Sequence, residues 1–311
     1  MRVFKDTGNL PSFHKAVLTI GTFDGVHAGH KTILDSVVRH AKAIGGESVL
    51  ITFDPHPRKL IFPNESLQLL QSLDEKLRVL EAEGIDNVVV VPFTREFSRM
   101  SAQDYITDFL VQRFGPEAII IGYDHRFGND RSGDISMLRQ CADEYQFQVM
   151  EIPVHLIDAA AVSSTQVRHA LVQGRVADAA HMLGQYYCIS GHVVRGAQLG
   201  RTLGYPTANI AIDNPDKLVP AIGIYAVLAQ PEEGEWHKAM MSIGYNPTVT
   251  EDRSVKLEVH LFDFDADLYD RHMRIAFVQR MRDEAKFDSL EALVAQIRQD
   301  EVDARAILKA I

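Results

Sequence analysis

The fold of the first half is decided by residues 16–30, which read AVLTIGTFDGVHAGH. An apolar run, Ala16–Ile20, leads into a turn with three glycines, and a helical pattern follows over residues 31–44. Glycines between a strand and a helix let a phosphate approach the backbone, and the helix N-terminus offers unpaired N–H groups and a positive dipole end. This stretch therefore predicts a phosphate site at the end of a buried strand.

Further β-type apolar runs alternate with helical patterns along the first half. The predicted strands are 16–20, 48–53, 87–91 and 118–121, and the predicted helices are 31–44, 73–84 and 102–114. This alternation indicates an α/β domain, a mainly parallel sheet with helices on both faces. Ligands of such sheets bind beyond the carboxyl ends of the strands.

The pattern changes near residue 185. Residues 163–165 resemble a cap before a short helix at 166–173, and a second short helix, 176–183, ends at Gly184. The predicted strands beyond it are 188–194, 225–229, 238–243 and 256–264. They indicate a small antiparallel barrel or sandwich, covered by an amphipathic C-terminal helix from Leu290 onward. We place the domains at 1–185 and 186–311.

Composition excludes several classes of protein. The 311 residues are 46% hydrophobic and 24% charged, as in ordinary globular proteins. Lys and Arg number 32 against 42 Asp and Glu, and the net charge of −10 argues against nucleic acid or an anionic membrane as partner. Cys141 and Cys188 are too few for a zinc ribbon or a disulfide framework. With no signal peptide or spanning segment, a cytoplasmic setting is expected, and no obligatory protein partner is evident.

Two histidines mark the start of the first helix. His27 and His30 are three residues apart, so both project from one face if the helix has begun there. Two imidazoles at this place can donate hydrogen bonds as negative charge builds on a phosphoryl group. A metal pair is disfavoured because no further His or Cys follows at ligand spacing. We predict that His27 and His30 are catalytic.

Residues 21–30 also resemble the signature of the nucleotidyltransferase superfamily, in the form found in the FMN adenylyltransferase module of bacterial bifunctional FAD synthetases. Residues 52–57, 121–128 and 163–168 resemble the same module in the same order. The resemblance implies a nucleotide site formed by Gly21, Phe23, Asp24, Gly25, Asp124, Ser164, Thr165 and Arg168. His125 departs from the family, in which many members carry an aromatic residue, and we interpret it as pocket lining.

A second glycine-rich stretch, GHVVRGAQLGRTLGYPTAN, occupies residues 191–209. It is not a Walker A motif, since the chain has no Gly-Lys dipeptide. Thr207 and Asn209 are two residues apart, so in an extended segment both point the same way and suit Mg²⁺ beside phosphates. The stretch resembles the riboflavin kinase signature. The resemblance implies an ATP site at Gly196, Gly200, Arg201, Thr207 and Asn209, with Thr207 and Asn209 as the metal ligands.

The predicted strand 256–264 carries a candidate base. Glu258 and His260 share one face of this strand with Phe262 and project toward a polar groove or water. The strand and the preceding loop, 242–248, resemble segments of riboflavin kinases. By this resemblance Glu258 is the general base that takes the proton of the ribityl 5′-hydroxyl of riboflavin, whereas His260 is interpreted as orienting.

The resemblance covers residues 18–306 and implies a bifunctional FAD synthetase with a nucleotidyltransferase-like domain and a riboflavin kinase-like barrel. The C-terminal domain would phosphorylate riboflavin with ATP to give FMN. The N-terminal domain would transfer AMP from ATP to FMN, giving FAD and pyrophosphate, and both steps would need Mg²⁺. Two alternatives stay open: a cytidylyltransferase for a small phospho-alcohol, and a non-catalytic flavin or nucleotide sensor.

Overall fold

The computed structural model describes residues 1–153, 162–196, 200, 203–245 and 255–311. Within these ranges the chain divides into two compact units, Met1–Leu67 with Leu73–Ser163 and Gln68–Ser72 with Ser164–Ile311. This division comes earlier in the chain than the predicted domain boundary at 185/186, which stays a prediction for the limits of the catalytic domains. No helix in the described ranges is long and apolar enough to cross a membrane.

Six parallel strands form the sheet of the first unit. They are β1 (Arg2–Phe4), β2 (Ala16–Ile20), β3 (Ser48–Asp54), β4 (Asn87–Pro92), β5 (Pro116–Gly122) and β6 (Gln148–Ile152). Their order is β1-β4-β3-β2-β5-β6. From β2 the chain moves outward through β3 and β4 on one side, then through β5 and β6 on the other, so the strand order reverses between β2 and β5. Ligands of open parallel sheets bind at such a reversal.

Helices cover both faces of this sheet, as predicted. They are α1 (Ala28–Ile44), α2 (Pro57–Ile61), α3 (Leu73–Ala82), α4 (Arg95–Ser98), α5 (Ala102–Asp104), α6 (Gln112–Phe114) and α7 (Ile135–Tyr145), with a π-helix at Tyr105–Val111 and a 3₁₀ turn at Asn129–Arg131. Successive strand residues enter opposite cores: Val17 packs with Leu34 of α1, whereas Leu18 belongs to the cluster of Phe109. The alternation follows from the pleat of a strand, whose neighbouring side chains point to opposite faces.

The second unit is a closed antiparallel barrel preceded by two helices. The helices are α8 (Ser164–Val172) and α9 (Val176–Leu183), and α9 ends at the left-handed Gly184, as predicted. The strands are β7 (Tyr187–Val194), β8 (Ala208–Ile212), β9 (Gly223–Pro231), β10 (His237–Tyr245), β11 (Val255–Leu261) and β12 (His272–Arg282). They close in the order β10-β11-β8-β7-β12-β9, so a barrel forms and not a sandwich. Closure pairs every strand on both sides and leaves no free edge.

A terminal helix, α10 (Leu290–Ile307), covers one side of the barrel, and a 3₁₀ turn, Leu308–Ala310, ends it. Ala304 and Leu308 pack against Met240 and Phe262. The predicted apolar stripe is therefore confirmed for the later part of the helix. Leu290, at its first residue, is instead 53% exposed.

A buried carboxylate ties α10 to β12. Arg282 donates to Asp300 through Nε at 2.8 Å and Nη2 at 2.6 Å, and Gln296 donates to the same carboxylate at 2.9 Å. Asp300 is 3% exposed. We expect Asp300→Ala to lower the free energy of unfolding by about 3 kcal/mol, because it leaves Arg282 without its counter-charge. Urea unfolding followed by circular dichroism measures this. The control is Asp303→Ala, which removes an exposed carboxylate from the same helix, and equal losses in both variants would refute the expectation.

Candidate active sites

The two predicted catalytic histidines lie together at the N-terminus of α1. His27 is the N-cap residue, and its Nδ1 accepts a hydrogen bond from the His30 backbone N–H at 3.4 Å. The two rings stack with centroids 3.7 Å apart and an interplanar angle of 20°. Because Nδ1 of His27 accepts, the neutral ring carries its proton on Nε2 and donates from there.

Burial keeps both imidazoles neutral near pH 7. Desolvation lowers the pKa of His27 to about 4, against the attraction of Asp124 and Asp24. Desolvation also holds the pKa of His30 well below its ordinary value, with smaller contributions from His27 and the Lys76 ammonium. The pair therefore acts through neutral N–H donors and not as two cations.

A cavity of about 1040 Å³ lies at the carboxyl ends of β2 and β5, where the strand order reverses. Its lining includes four of the predicted residues, Gly21, Phe23, His30 and Asp124. Aromatic rings form part of the remaining wall, namely those of Phe53, Phe62, Phe93, Phe97, Tyr105 and Phe127, and polar and charged side chains form much of the rest. A cavity that combines aromatic rings with many polar and charged groups suits a flat ring system carrying a polar tail.

Three other predicted residues of this loop are not part of the cavity lining. Asp24 is 3% exposed and His27 7%, and neither these two nor Gly25 belongs to the lining of the cavity. Gly25 has a φ of 72°, and Phe23, two residues earlier, has a φ of 45°. The left-handed backbone explains the glycine at position 25, since other side chains rarely adopt it. A direct contact of Asp24 or Gly25 with nucleotide stays a prediction.

His125 lines the same cavity, beside Asp124. Its Nε2 is buried and has no hydrogen-bond partner among the residues that the structure describes. Burial lowers the pKa of the His125 ring to about 4, again against the attraction of Asp124. This side chain is therefore a neutral part of the cavity wall near pH 7.

We expect the first unit to lose stability as the pH falls from about 6.5 to about 4. In this window His27 and His125 bind protons in the unfolded chain but not in the folded one, so acidification favours unfolding. Each histidine adds a slope approaching about 1.4 kcal/mol per pH unit. Urea unfolding across the window measures this slope. His125→Phe should remove one histidine's share of the slope, so an unchanged slope in that variant would rule the explanation out.

The remaining predicted residues of the nucleotide site, Ser164, Thr165 and Arg168, belong to the second unit. α8 begins at Ser164, and Arg168 lies one turn further along it. The Arg168 Nε donates to the Gln68 carbonyl at 2.9 Å. Phosphate binding by these three residues stays a prediction.

Strand pairing brings two distant kinase motifs together in the second unit. Asn209 on β8 lies directly opposite Glu258 on β11. Glu258 is ion-paired with Lys256, whose Nζ lies 2.8 Å from Oε1, and both side chains are about one-third exposed. His260 Nδ1–H donates to the Pro206 carbonyl at 2.7 Å, which attaches the segment before β8 to β11. The barrel thus places the predicted base beside a predicted metal ligand.

Glycines let the loop backbone approach these groups. A Cβ at Gly196 would overlap the Asn209 amide, and one at Gly200 would overlap the Tyr205 carbonyl and lie 3.3 Å from Thr207 Oγ1. Larger residues at 196 or 200 would therefore displace the predicted metal ligands. Arg201 and residues 246–248 of the later loop lie outside the described residues.

Lys76 is a candidate residue of the first site that the sequence pattern does not indicate. It is buried beside the first loop and donates to the Thr22 carbonyl at 2.7 Å. A lysine in an amphipathic helix is typical of a solvated face, so no sequence signal separates it from its neighbours. A sequence signal for cavity residues does exist at Phe53, the last residue of a predicted strand, and at Phe127, which lies in the stretch 121–128 after another.

Family models match both halves of the chain. Residues 10–166 match the family model of FAD synthetase, and residues 183–308 match that of riboflavin kinase. The chain is 36% identical to the bifunctional riboflavin kinase/FMN adenylyltransferase of Listeria monocytogenes, over 93% of this chain and 91% of that protein. It is 38% identical to the Escherichia coli K12 protein of the same name, with the same coverage.

A solved structure shares the whole fold. It is a Streptococcus pneumoniae protein described as a macrolide-efflux protein, with a TM-score of 0.86 at 29% identity, covering 97% of this chain and 98% of that one. Both family models and the full-length relatives agree on one assignment. The chain belongs to the bifunctional riboflavin kinase/FMN adenylyltransferase family.

Proposed function

We propose that separate groups of residues catalyse the two steps by which this chain makes FMN and FAD. As a riboflavin kinase and FMN adenylyltransferase, the chain phosphorylates riboflavin and then adenylylates FMN, using ATP in each step. The observation that supports the assignment most directly is the stacked, neutral His27–His30 pair beside the aromatic cavity.

In adenylyl transfer, a phosphate oxygen of FMN attacks the α-phosphorus of ATP, and the bond to the departing pyrophosphate breaks. Negative charge grows on the oxygens around the α-phosphorus. Neutral N–H groups of His27 and His30 and the N-terminus of α1 stabilise this charge. The aromatic wall of the cavity suits the flat flavin ring, and Asp124 orients a ribose, a cation or the attacking phosphate. Ser164, Thr165 and Arg168 hold the pyrophosphate.

In the kinase reaction, Glu258 takes the proton of the ribityl 5′-hydroxyl as that oxygen attacks the γ-phosphorus, and ADP departs. The Lys256 ammonium, 2.8 Å away, orients the Glu258 carboxylate. The loop of Gly196 and Gly200 supplies backbone N–H groups to the ATP phosphates, as glycine-rich loops do. Positioning of the two substrates supplies most of the rate, as is usual for phosphoryl transfer.

Thr207 and Asn209 fit a magnesium ion in the kinase site. Hydroxyl and amide oxygens are the hard donors that Mg²⁺ accepts together with substrate phosphates. A Cβ at Gly196 would collide with the Asn209 amide and one at Gly200 would crowd Thr207 Oγ1, so glycine at both positions lets these donors keep their places. When bound, Mg²⁺ neutralises phosphate charge. Substrate phosphates and water would supply the remaining ligands, as is usual for Mg²⁺.

The test is to incubate the protein with riboflavin, ATP and Mg²⁺ and to separate the flavins by chromatography. We expect FMN to appear first and FAD to follow. Retention of flavin and ATP without any product would favour a sensor. Turnover of CTP with a phospho-alcohol, and none with flavin, would favour a cytidylyltransferase.

A further inference from the structure

The Lys76 side chain of α3 is buried under the loop that follows β2. The residue is 6% exposed. Its Nζ donates to the Thr22 carbonyl at 2.7 Å and to Thr52 Oγ1 at 3.3 Å. Thr52 Oγ1 in turn donates to the same Thr22 carbonyl at 3.2 Å. One peptide oxygen at the start of the loop therefore accepts two hydrogen bonds from other elements.

The anchored peptide controls the direction of the loop. Because a peptide bond is trans, the N–H of Phe23 points to the side opposite the Thr22 carbonyl, away from Lys76. Phe23 itself has a φ of 45°, a conformation that a bulky residue keeps only when its surroundings impose it. On the other side of the loop start, Gly21 N–H donates to the Ile51 carbonyl of β3 at 3.0 Å. The loop is thus held in one shape by β3 and α3 together.

The ammonium also places a positive charge close enough to His30 to influence it. Asp24 and Asp54 attract it, which opposes the lowering of the Lys76 pKa by burial. The same charge contributes to the low pKa of His30, as does the neighbouring His27. Lys76 therefore acts on the loop through hydrogen bonds and on His30 through its electric field.

We propose that Lys76 is a positioning residue for adenylyl transfer: its ammonium fixes the Thr22 carbonyl so that the loop of residues 21–25 presents its N–H groups to the ATP phosphates, and its positive charge acts on His30 through space. This inference rests on the proposed function of the first unit. It assigns to Lys76 no contact with substrate.

The experiment compares Lys76→Met with Lys76→Arg and with Lys31→Met. Methionine keeps an unbranched stem and removes the charge and the donors, whereas arginine keeps both. Lys31 of α1, paired with Glu83 at 2.8 Å, is the matched control. For each variant, kcat and KM of FAD formation from FMN and ATP are measured, and riboflavin phosphorylation in the same sample reports on the folded second unit.

We expect Lys76→Met to lower the kcat of FAD formation about 10–100-fold. A displacement of a reacting or binding group by about 1 Å can lower a rate about 10²-fold. Riboflavin phosphorylation should stay unchanged, Lys76→Arg should recover part of the loss, and Lys31→Met should resemble the parent protein. In an NMR titration of the histidine rings, the pKa of His30 should rise in Lys76→Met and stay low in Lys31→Met. A purely structural lysine would not move this pKa in a folded variant.

A folded Lys76→Met protein with a parental kcat, or with an unmoved His30 pKa, overturns the proposal. If Lys76→Met does not fold, Thr52→Val replaces it as the test, because it deletes one of the two donors to Thr22 at nearly constant volume. We expect a several-fold lower kcat of FAD formation there, and an unchanged value overturns the proposal. Failure of the parent protein to make FAD would instead overturn the proposed function, so the two failures are distinguishable.

Discussion

Replacing His30 by alanine is expected to lower the kcat of FAD formation about 10²–10³-fold and to leave riboflavin phosphorylation unchanged. His30 lines the cavity, and its ring lies against His27 with centroids 3.7 Å apart. The substitution removes a donor that acts on charge present mainly in the transition state. The loss should therefore appear in kcat and not in the KM for FMN or ATP. Steady-state rates with FMN and ATP, with FAD quantified by chromatography, measure the effect.

A histidine elsewhere on the same helix provides the control. His40 lies three turns along α1, and His40→Ala should leave both reactions at the parental rate. His27→Ala should show the same selective loss as His30→Ala, because the two rings form one stacked pair. If a folded His30 variant lost both activities in parallel, a single shared site would have to replace the picture of two separate sites.

Replacing Glu258 by glutamine is expected to produce the opposite selectivity, with riboflavin phosphorylation falling about 10²–10⁴-fold. Glutamine keeps the size of the side chain and one acceptor oxygen, yet it cannot take a proton from the 5′-hydroxyl. Adenylylation of supplied FMN should continue at the parental rate. Single-turnover phosphorylation of riboflavin separates this chemical step from product release.

Glu232 offers a matched control in the same unit. It is an exposed carboxylate paired with Arg271 at 2.9 Å, so Glu232→Gln also deletes one negative charge and one ion pair. That variant should phosphorylate riboflavin normally. A Glu258→Gln protein whose rate stayed within a few-fold of the Glu232→Gln protein would show that another group acts as the base.

Much of the first unit can be predicted from hydrophobic patterning. The strands that follow from apolar runs at residues 16, 48, 87 and 118 all form, and the helices at 31 and 73 begin within three residues of their predicted starts. These elements are buried on defined faces, so their apolar residues recur at a regular spacing in the sequence. β1, an edge strand of three residues, leaves no such period. The π-helix at Tyr105–Val111 falls within the predicted helix 102–114, since its apolar residues fit either kind of turn.

The second unit is predicted less completely. Its barrel needs β8 and β12, and the sequence pattern indicates neither as a strand. Along β12 the alternation of inward and outward side chains is interrupted. Its pairing with β9 shifts in register between Phe277 and Gln279 and again between Arg280 and Arg282. A bulge moves later side chains to the opposite face, so the period of two is lost. The paired position of Asn209 and Glu258 depends on this closure and does not follow from either motif alone.

The amino-acid sequence by itself determined the order of the elements, the two glycine-rich loops and the chemical groups that follow them, because these are properties of neighbouring residues. Only the tertiary structure decided which of those groups meet. The reversal of strand order brings His30 and Asp124 to one cavity, and the β8–β11 register sets Asn209 opposite Glu258. The low pKa of His27 and the burial of Lys76 are likewise properties that only the tertiary structure decided. Burial and long-range pairing arise from segments remote in the chain, so no local pattern encodes them.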